Sequence, residues 1–301
     1  MRQKKQVEDI EKNWTTKIDT YLSGIPPSVF NKNTLTELFW NLRRKHLVPY
    51  DFYNDDLLAF IIDSNTIKST EIKYAGTANP KRKQFIRYIL NSPSPFSVAL
   101  SIRSKSYLSH NSALYLHGLT EKLPQEIIVN KEQSAKPSYN ELTQDGINRA
   151  FKNNPKKSRY IWKWSKYRLV LINGKNTDEY GVINHTLESG EKVRITDLER
   201  TLVDIVVRPI YSGGAKNFID IYRRAKDNVS TEKIVNTLEE LDYTYPYHQS
   251  IGFLMERAGY ESEDLEQIRA LGIKYDFYLE YNMKKTEYDH NWRLYYPKGM
   301  K

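Results

Sequence analysis

The run RITDLERTLVDIVVRPIYSGG, residues 194–214, constrains this chain more than any other. A strand over Lys192 to Ile195 leads into it. Thr196 is placed to cap a helix from Asp197 through Asp204, and Glu199 stands at the capping-box spacing from it. Thr201 lies within that helix, and Pro209 with Gly213 and Gly214 ends the segment. Arg200 falls on an otherwise apolar helix face, where an unpaired buried charge is costly. Asp197, Glu199 and Asp204 are close enough in sequence to pair with it. Arg200 therefore reads as half of a structural ion pair, or as a contact to an anion or a partner.

A second dense run, YLSHNSALYLHGLTEKLPQEIIV, covers residues 107–129. It reads as a cap, a short helix and a stop. Ser109 can cap the N-terminus, Ala113, Leu114 and Leu116 supply buried surface, and Gly118 supplies a left-handed C-terminal residue. Leu123-Pro124-Gln125 then turns into a strand, Glu126 to Val129. His110 and His117 are two helical turns apart, wider than the i, i+4 spacing of a helical metal pair. They read as packed or capping histidines, and no metal site is expected.

The first ninety residues have a different order. Val7, Ile10, Trp14, Ile18 and Tyr21 predict a helix through about Leu22, ended by Gly24 and the Pro26-Pro27 pair. Thr34 with Glu37, or Asn33 alone, would open a second helix bearing Leu35, Leu38, Phe39 and Leu42. Arg43, Arg44 and Lys45 crowd its C-terminal end, where cations complement the helix dipole. A third helix is expected from about Asn54, with Leu57, Leu58, Phe60, Ile61 and Ile62. Strands at Thr70 to Tyr74 and Gln84 to Leu90 follow, joined by a turn-rich loop that ends in Lys81-Arg82-Lys83.

Three helices and a hairpin with a basic tip is the order of a winged helix-turn-helix, a DNA-binding module. The alternative is an ordinary α+β domain with a solvated, charged loop. The third helix carries Asp51, Asp55, Asp56 and Asp63 nearby and no cation before Lys68. Such a helix repels phosphates, so DNA contact would fall to Arg43, Arg44, Lys45, Lys73, Lys81, Arg82, Lys83 and Arg87. The polar, proline-rich stretch from Asn91 to Pro95 marks the expected boundary, with domains at 1–92 and 96–301.

Between the two dense runs, residues 152–168 hold seven cations, four aromatics and no acid. Lys156, Lys157, Arg159 and Lys163 interleaved with Tyr160, Trp162 and Trp164 could form a stacking and phosphate-binding strand. Equally, they could form a strand with apolar residues inward and a solvated basic face. In the last third, Val235, Leu238 and Leu241 suit a helix. Lys274 to Tyr281 reads as a strand, and Trp292 to Tyr296 could pair with it. Asp276, Glu280 and Lys284 are spaced differently from nuclease carboxylates, and no catalytic residue is assigned.

Bulk properties narrow the partner class. The 301 residues are enough for a sizeable core, and a formal net charge of +9 favours anionic partners. The 23 tyrosines suit interfaces. With no cysteine there is no disulfide or thiolate metal site, as suits a reducing cytoplasm. The charged N-terminus lacks the apolar core of a signal peptide, and no run approaches the roughly 18 apolar residues of a membrane span.

The two dense runs, in their content and order, resemble the AbiEi family, and the likeness covers about residues 97–226. It rests on the block YLSH-SALYLHGL, a strand with P-EI-V, and ITDLERTLVDIVVRP followed by GG. The resemblance implies an α+β chain: a winged helix-turn-helix followed by a larger mixed α/β antitoxin domain. It implies a cytoplasmic, non-catalytic antitoxin of an abortive-infection (type IV) toxin–antitoxin system in phage defence. Such a protein counters a co-encoded nucleotidyltransferase-like toxin, as a functional rather than a physical partner. It also represses the shared promoter by binding double-stranded DNA at its own operator, as a homodimer or cooperatively, without a cofactor. The matching positions are Ser109, His110, His117, Gly118, Thr196, Glu199, Arg200, Thr201, Asp204, Gly213 and Gly214. Two other readings compete: a DNA-acting nuclease of a defence system, and a protein-interaction module that never touches DNA.

Overall fold

The computed structural model describes residues 14–48, 66–135 and 141–300. It is a mixed α/β chain that divides into two compact units. The first takes residues 1–104, 160–169 and 185–193, and the second takes the rest. The expected third helix, with Leu57 to Ile62 and the acidic residues Asp51, Asp55, Asp56 and Asp63, lies outside the described residues. So do Val7 and Ile10.

In the first unit, α1 covers residues 14–23, β1 is Ser28–Phe30 and α2 is Lys32–Arg44. Asn31 caps α2, not Asn33 or Thr34. Its side chain accepts from the backbone N–H of Asn33 at 2.8 Å and of Thr34 at 3.1 Å. The Thr34 hydroxyl accepts in return from the Asn31 N–H at 2.9 Å. This reciprocal box satisfies donors that a helix start otherwise leaves orphaned. Leu35, Leu38, Phe39 and Leu42 form the buried face, at the expected three- and four-residue steps, and pack with Ile18, Leu22, Ile67 and Leu90.

Strands β2 (Ile67–Tyr74) and β3 (Gln84–Leu90) form an antiparallel hairpin, and β1 pairs with β3. On the other side, β2 pairs with β6 (Ile161–Trp164), a strand contributed from far along the chain, giving the order β1-β3-β2-β6. The stretch expected as a boundary is bound into this unit. Asn91 donates to the carbonyls of Leu22 and Ile25, and Ser94 caps the short helix α3 (Pro95–Leu100).

The second unit holds β4 (Tyr107–Leu108), α4 (Asn111–Leu116), β5 (Glu126–Glu132), α5 (Gln144–Lys152) and most of β7 (Tyr167–Gly174). Two strands, β8 (Val182–Thr186) and β9 (Lys192–Thr196), have residues in both units. The helices α6 (Leu198–Val207), α7 (Phe218–Ala225), α8 (Thr231–Leu241), α9 (Tyr247–Ala258) and α10 (Ser262–Arg269) follow. Every residue of α6 from Glu199 to Val207 is buried, so the helix is enclosed on all sides. A three-stranded sheet ends the chain, with β12 (Leu294–Pro297) parallel to β10 (Phe277–Tyr278) and antiparallel to β11 (Thr286–Asp289). The expected pairing of these segments is present, but β10 is two residues long rather than eight. Leu241 of α8 is buried, and Val235 and Leu238 pack partly buried against the same core. Trp292 anchors the sheet, lying fully buried against α9 with its indole N–H donating to Glu256 at 2.7 Å.

Candidate functional site

The two dense sequence runs meet in the second unit. Leu108 of β4 pairs in parallel with Ile195 of β9, and a ring nitrogen of His117 lies 2.8 Å from the Thr196 carbonyl. The turn after α4 closes as expected. Gly118 is left-handed, its N–H reaches the Tyr115 carbonyl at 3.0 Å, and the Leu119 N–H reaches Leu114 at 2.9 Å.

Two expected caps are corrected. Ser109 does not cap α4; its hydroxyl bonds the His110 ring at 2.8 Å, and α4 starts without a side-chain cap. Thr196 does not cap α6. That role falls to Asp197, which accepts from the Arg200 N–H at 2.8 Å, while the Thr196 hydroxyl bonds Thr201 at 2.8 Å. Glu199 faces another way, accepting from the backbone of Ser230 at 3.1 Å. Gly213 is left-handed and Gly214 has a positive φ of 89°, and a Cβ on Gly214 would press on Glu280, which holds the Ala215 N–H.

Arg200 lies at the centre, 1% exposed. Its guanidinium donates to the Tyr107 hydroxyl at 2.8 Å, to Thr177 at 3.0 Å and to the Tyr180 carbonyl. Glu132 is 3.5 Å away and Asp204 3.8 Å. Of the three acids near in sequence, Asp204 is the one that pairs. Glu132, Tyr107 and Thr177 carry no local signal and come from other elements. Burial opposes ionisation of Glu132, but hydrogen bonds from Thr177, Tyr107 and the Glu179 backbone outweigh it and hold the carboxyl below its usual range. Burial pushes Asp204 up to about 6, against the pull of Arg200 and Arg208. Burial, with Arg208 and Arg200 nearby, pushes His110 down to about 3, so its ring is neutral. His110 also has a positive φ of 53°, which is uncommon for a residue with a Cβ. Tyr107, Glu132, Thr177 and Arg200 bind one another and tie β4, β5 and α6 together, while His110 Nε2, Arg200 Nε and Asp204 Oδ2 are buried without a hydrogen-bond partner. Among the described residues no group of acids and histidines could hold a metal ion.

The cations expected to touch DNA fall in several places. Arg43 stacks over Trp40 at 5.4 Å and Lys45 over Tyr21 at 5.5 Å; Arg44 bonds Asn41. Lys81, Arg82 and Lys83 are exposed in the connection between β2 and β3. Lys73 is exposed and ion-paired to Glu71 at 2.8 Å. Lys163 is exposed on β6 and directly opposite Lys73. Lys156, Lys157 and Arg159 are exposed in the second unit.

Arg87 is the exception. It is 7% exposed and donates to the Ser101 hydroxyl at 3.1 Å, the Ser101 carbonyl at 2.6 Å and the Ile86 carbonyl at 2.8 Å. The cause is parity: successive strand residues point to opposite faces. Lys73, Gln84 and Lys163 share one face by register, whereas Arg87 shares the other with Phe85 and Trp162, which lie 5.8 Å apart. The aromatic stretch behaves likewise. Trp162 is buried and Trp164 donates to Thr70 at 2.9 Å, so these rings pack inside the unit.

No protein-family model matches the chain, and no curated protein matches it. Among solved structures, the chain is similar to the crystal structure of the RV2827C protein from Mycobacterium tuberculosis, with a TM-score of 0.55 and 13% identity. The likeness covers 94% of this chain and 91% of that one, and it carries the fold alone. No helix among the described residues is long and apolar enough to cross a membrane.

Proposed function

We propose that the chain is a non-catalytic, cytoplasmic DNA-binding regulator: the antitoxin of an abortive-infection pair that represses the promoter it shares with a nucleotidyltransferase-like toxin. One observation carries the DNA-binding part. The outer face of the β2–β3 hairpin presents Lys73 beside Lys163, with Lys81, Arg82 and Lys83 exposed in the connection. Cations arrayed on one face of adjacent strands and on their connecting loop suit a phosphate backbone, the dominant source of affinity for DNA. The order α1, β1, α2, then a hairpin edged by β1 supports a winged-helix reading of this unit.

The antitoxin part rests on the two dense runs, which pack side by side around Arg200. Tyr107, Arg200, Thr196 and Thr201 are hydrogen-bonded inside the fold, which suits a structural or binding role for these runs. Asp276 is similarly engaged, by Arg293 at 2.9 Å and Tyr288 at 2.7 Å.

The test is binding of the Lys81→Ala/Arg82→Ala/Lys83→Ala variant to DNA from upstream of its own gene. Loss of three phosphate contacts lowers the slope of log affinity against log salt by about 2.7. Unchanged binding would remove the hairpin from the interface. Co-expression with the adjacent open reading frame tests the antitoxin role separately: growth is rescued if the reading holds.

A further inference from the structure

Lys73 and Lys163 are direct cross-strand partners, and both are exposed. Opposed residues have Cβ atoms about 5 Å apart, and like charges so placed destabilise a sheet. Local rules of sheet design are expected to fail where function requires it. Lys73 has a counter-charge on its own strand and face, the Glu71 carboxylate at 2.8 Å. Among the described residues Lys163 has no acidic partner. Gln84 lies on the far side of Lys73, so Lys163, Lys73 and Gln84 make one row across three strands spaced about 4.8 Å apart.

We infer that this row is a phosphate seat in which Lys73 and Lys163 together hold one phosphodiester of duplex DNA. Gln84 donates a neutral hydrogen bond beside it. Glu71 is the internal counter-charge, and the phosphate displaces it from Lys73. The inference rests on the DNA-binding reading and deepens it in two ways. First, β6, supplied from far along the chain, belongs to the same DNA-facing surface as the hairpin. Second, the contact is to backbone, so it positions the protein without reading sequence. The seat also explains why the like-charge pair is tolerated: an anion between two ammonium groups turns a repulsion into two attractions.

The test uses the full chain and two labelled duplexes of equal length, one from upstream of its own gene and one unrelated, across a salt series. Lys163→Ala lowers the salt slope equally on both duplexes, by at most about 0.9, the value for one whole phosphate contact, because Lys73 keeps part of it. Lys163→Arg keeps the slope. Glu71→Gln tightens binding to both duplexes, because the competing carboxylate is gone. In the free protein, Lys163→Ala unfolds at the same or a higher temperature, since it removes a repulsion. If Lys163→Ala leaves the slope unchanged while the triple-alanine tip variant lowers it, the seat is wrong and the basic-hairpin reading stands. If neither variant changes it, the hairpin and β6 both lie outside the interface, and the seat falls together with the basic-hairpin reading. Weaker binding by Glu71→Gln would overturn its role as counter-charge.

Discussion

Arg200 ties together chemistry that local sequence could only half anticipate. A lone arginine on an apolar helix needs a carboxylate, and Asp204, one turn on, is one of its two. The other, Glu132, and the Tyr107 hydroxyl come from distant strands, and no local spacing encodes a tertiary pairing. Removing the guanidinium leaves Asp204 buried without its paired cation and takes the counter-charge from Glu132, which Thr177, Tyr107 and the Glu179 N–H still hold. Arg200→Ala is expected to lose about 3–5 kcal/mol of stability, measured by urea unfolding. His110 makes a second prediction. Its folded pKa of about 3 lies below the ordinary 6.5, so its neutral form stabilises the fold above pH 6.5. As pH falls from 6.5 towards 3 the unfolded chain gains a proton that the folded chain refuses. That stability is lost at up to about 1.4 kcal/mol per pH unit. Asp204, raised from 3.8 to about 6, acts in the opposite sense over that narrower range. The informative quantity is therefore the difference between the parent and His110→Gln: the variant loses less stability on acidification, and identical pH profiles would contradict the assignment.

At the scale of elements, patterning is legible where it depends on period and weaker where it depends on a choice among neighbours. The α2 face and the β2–β3 hairpin follow from three- and four-residue steps and from turn residues. The caps do not, because Asn31, Asn33 and Thr34 can all accept from a helix N-terminus, as can Thr196 and Asp197. Asn31→Ala is expected to cost about 1 kcal/mol, read from the thermal unfolding of the chain. Arg87 shows the same limit for strands: its facing depends on register, and one step of parity separates a solvent cation from a buried one. The junction of α9 with the C-terminal sheet offers a sharper test. A Cβ at Gly252 would overlap the Trp292 indole, which has no room to retreat at 0% exposure. Gly252→Ala is expected to destabilise by about 1–3 kcal/mol through overpacking, and an unchanged denaturation midpoint would show that the tryptophan seat is looser than described.

For the whole molecule, composition gave a direction and no address. A net charge of +9 favours anionic partners, but it does not say which cations act together. Two later segments, residues 160–169 and 185–193, return to the N-terminal unit, and a linear reading with one boundary near residue 92 has no means of placing them. That return sets Lys163 beside Lys73 and adds a fourth strand to β1, β3 and β2. The central claim is that this surface binds DNA, and its most direct test is the affinity of the whole chain for DNA upstream of its own gene, against an unrelated fragment, as salt is raised. The account predicts tighter binding to the upstream fragment, weakening steeply with salt as several phosphate contacts are screened. Equal and weak binding to both fragments would contradict it.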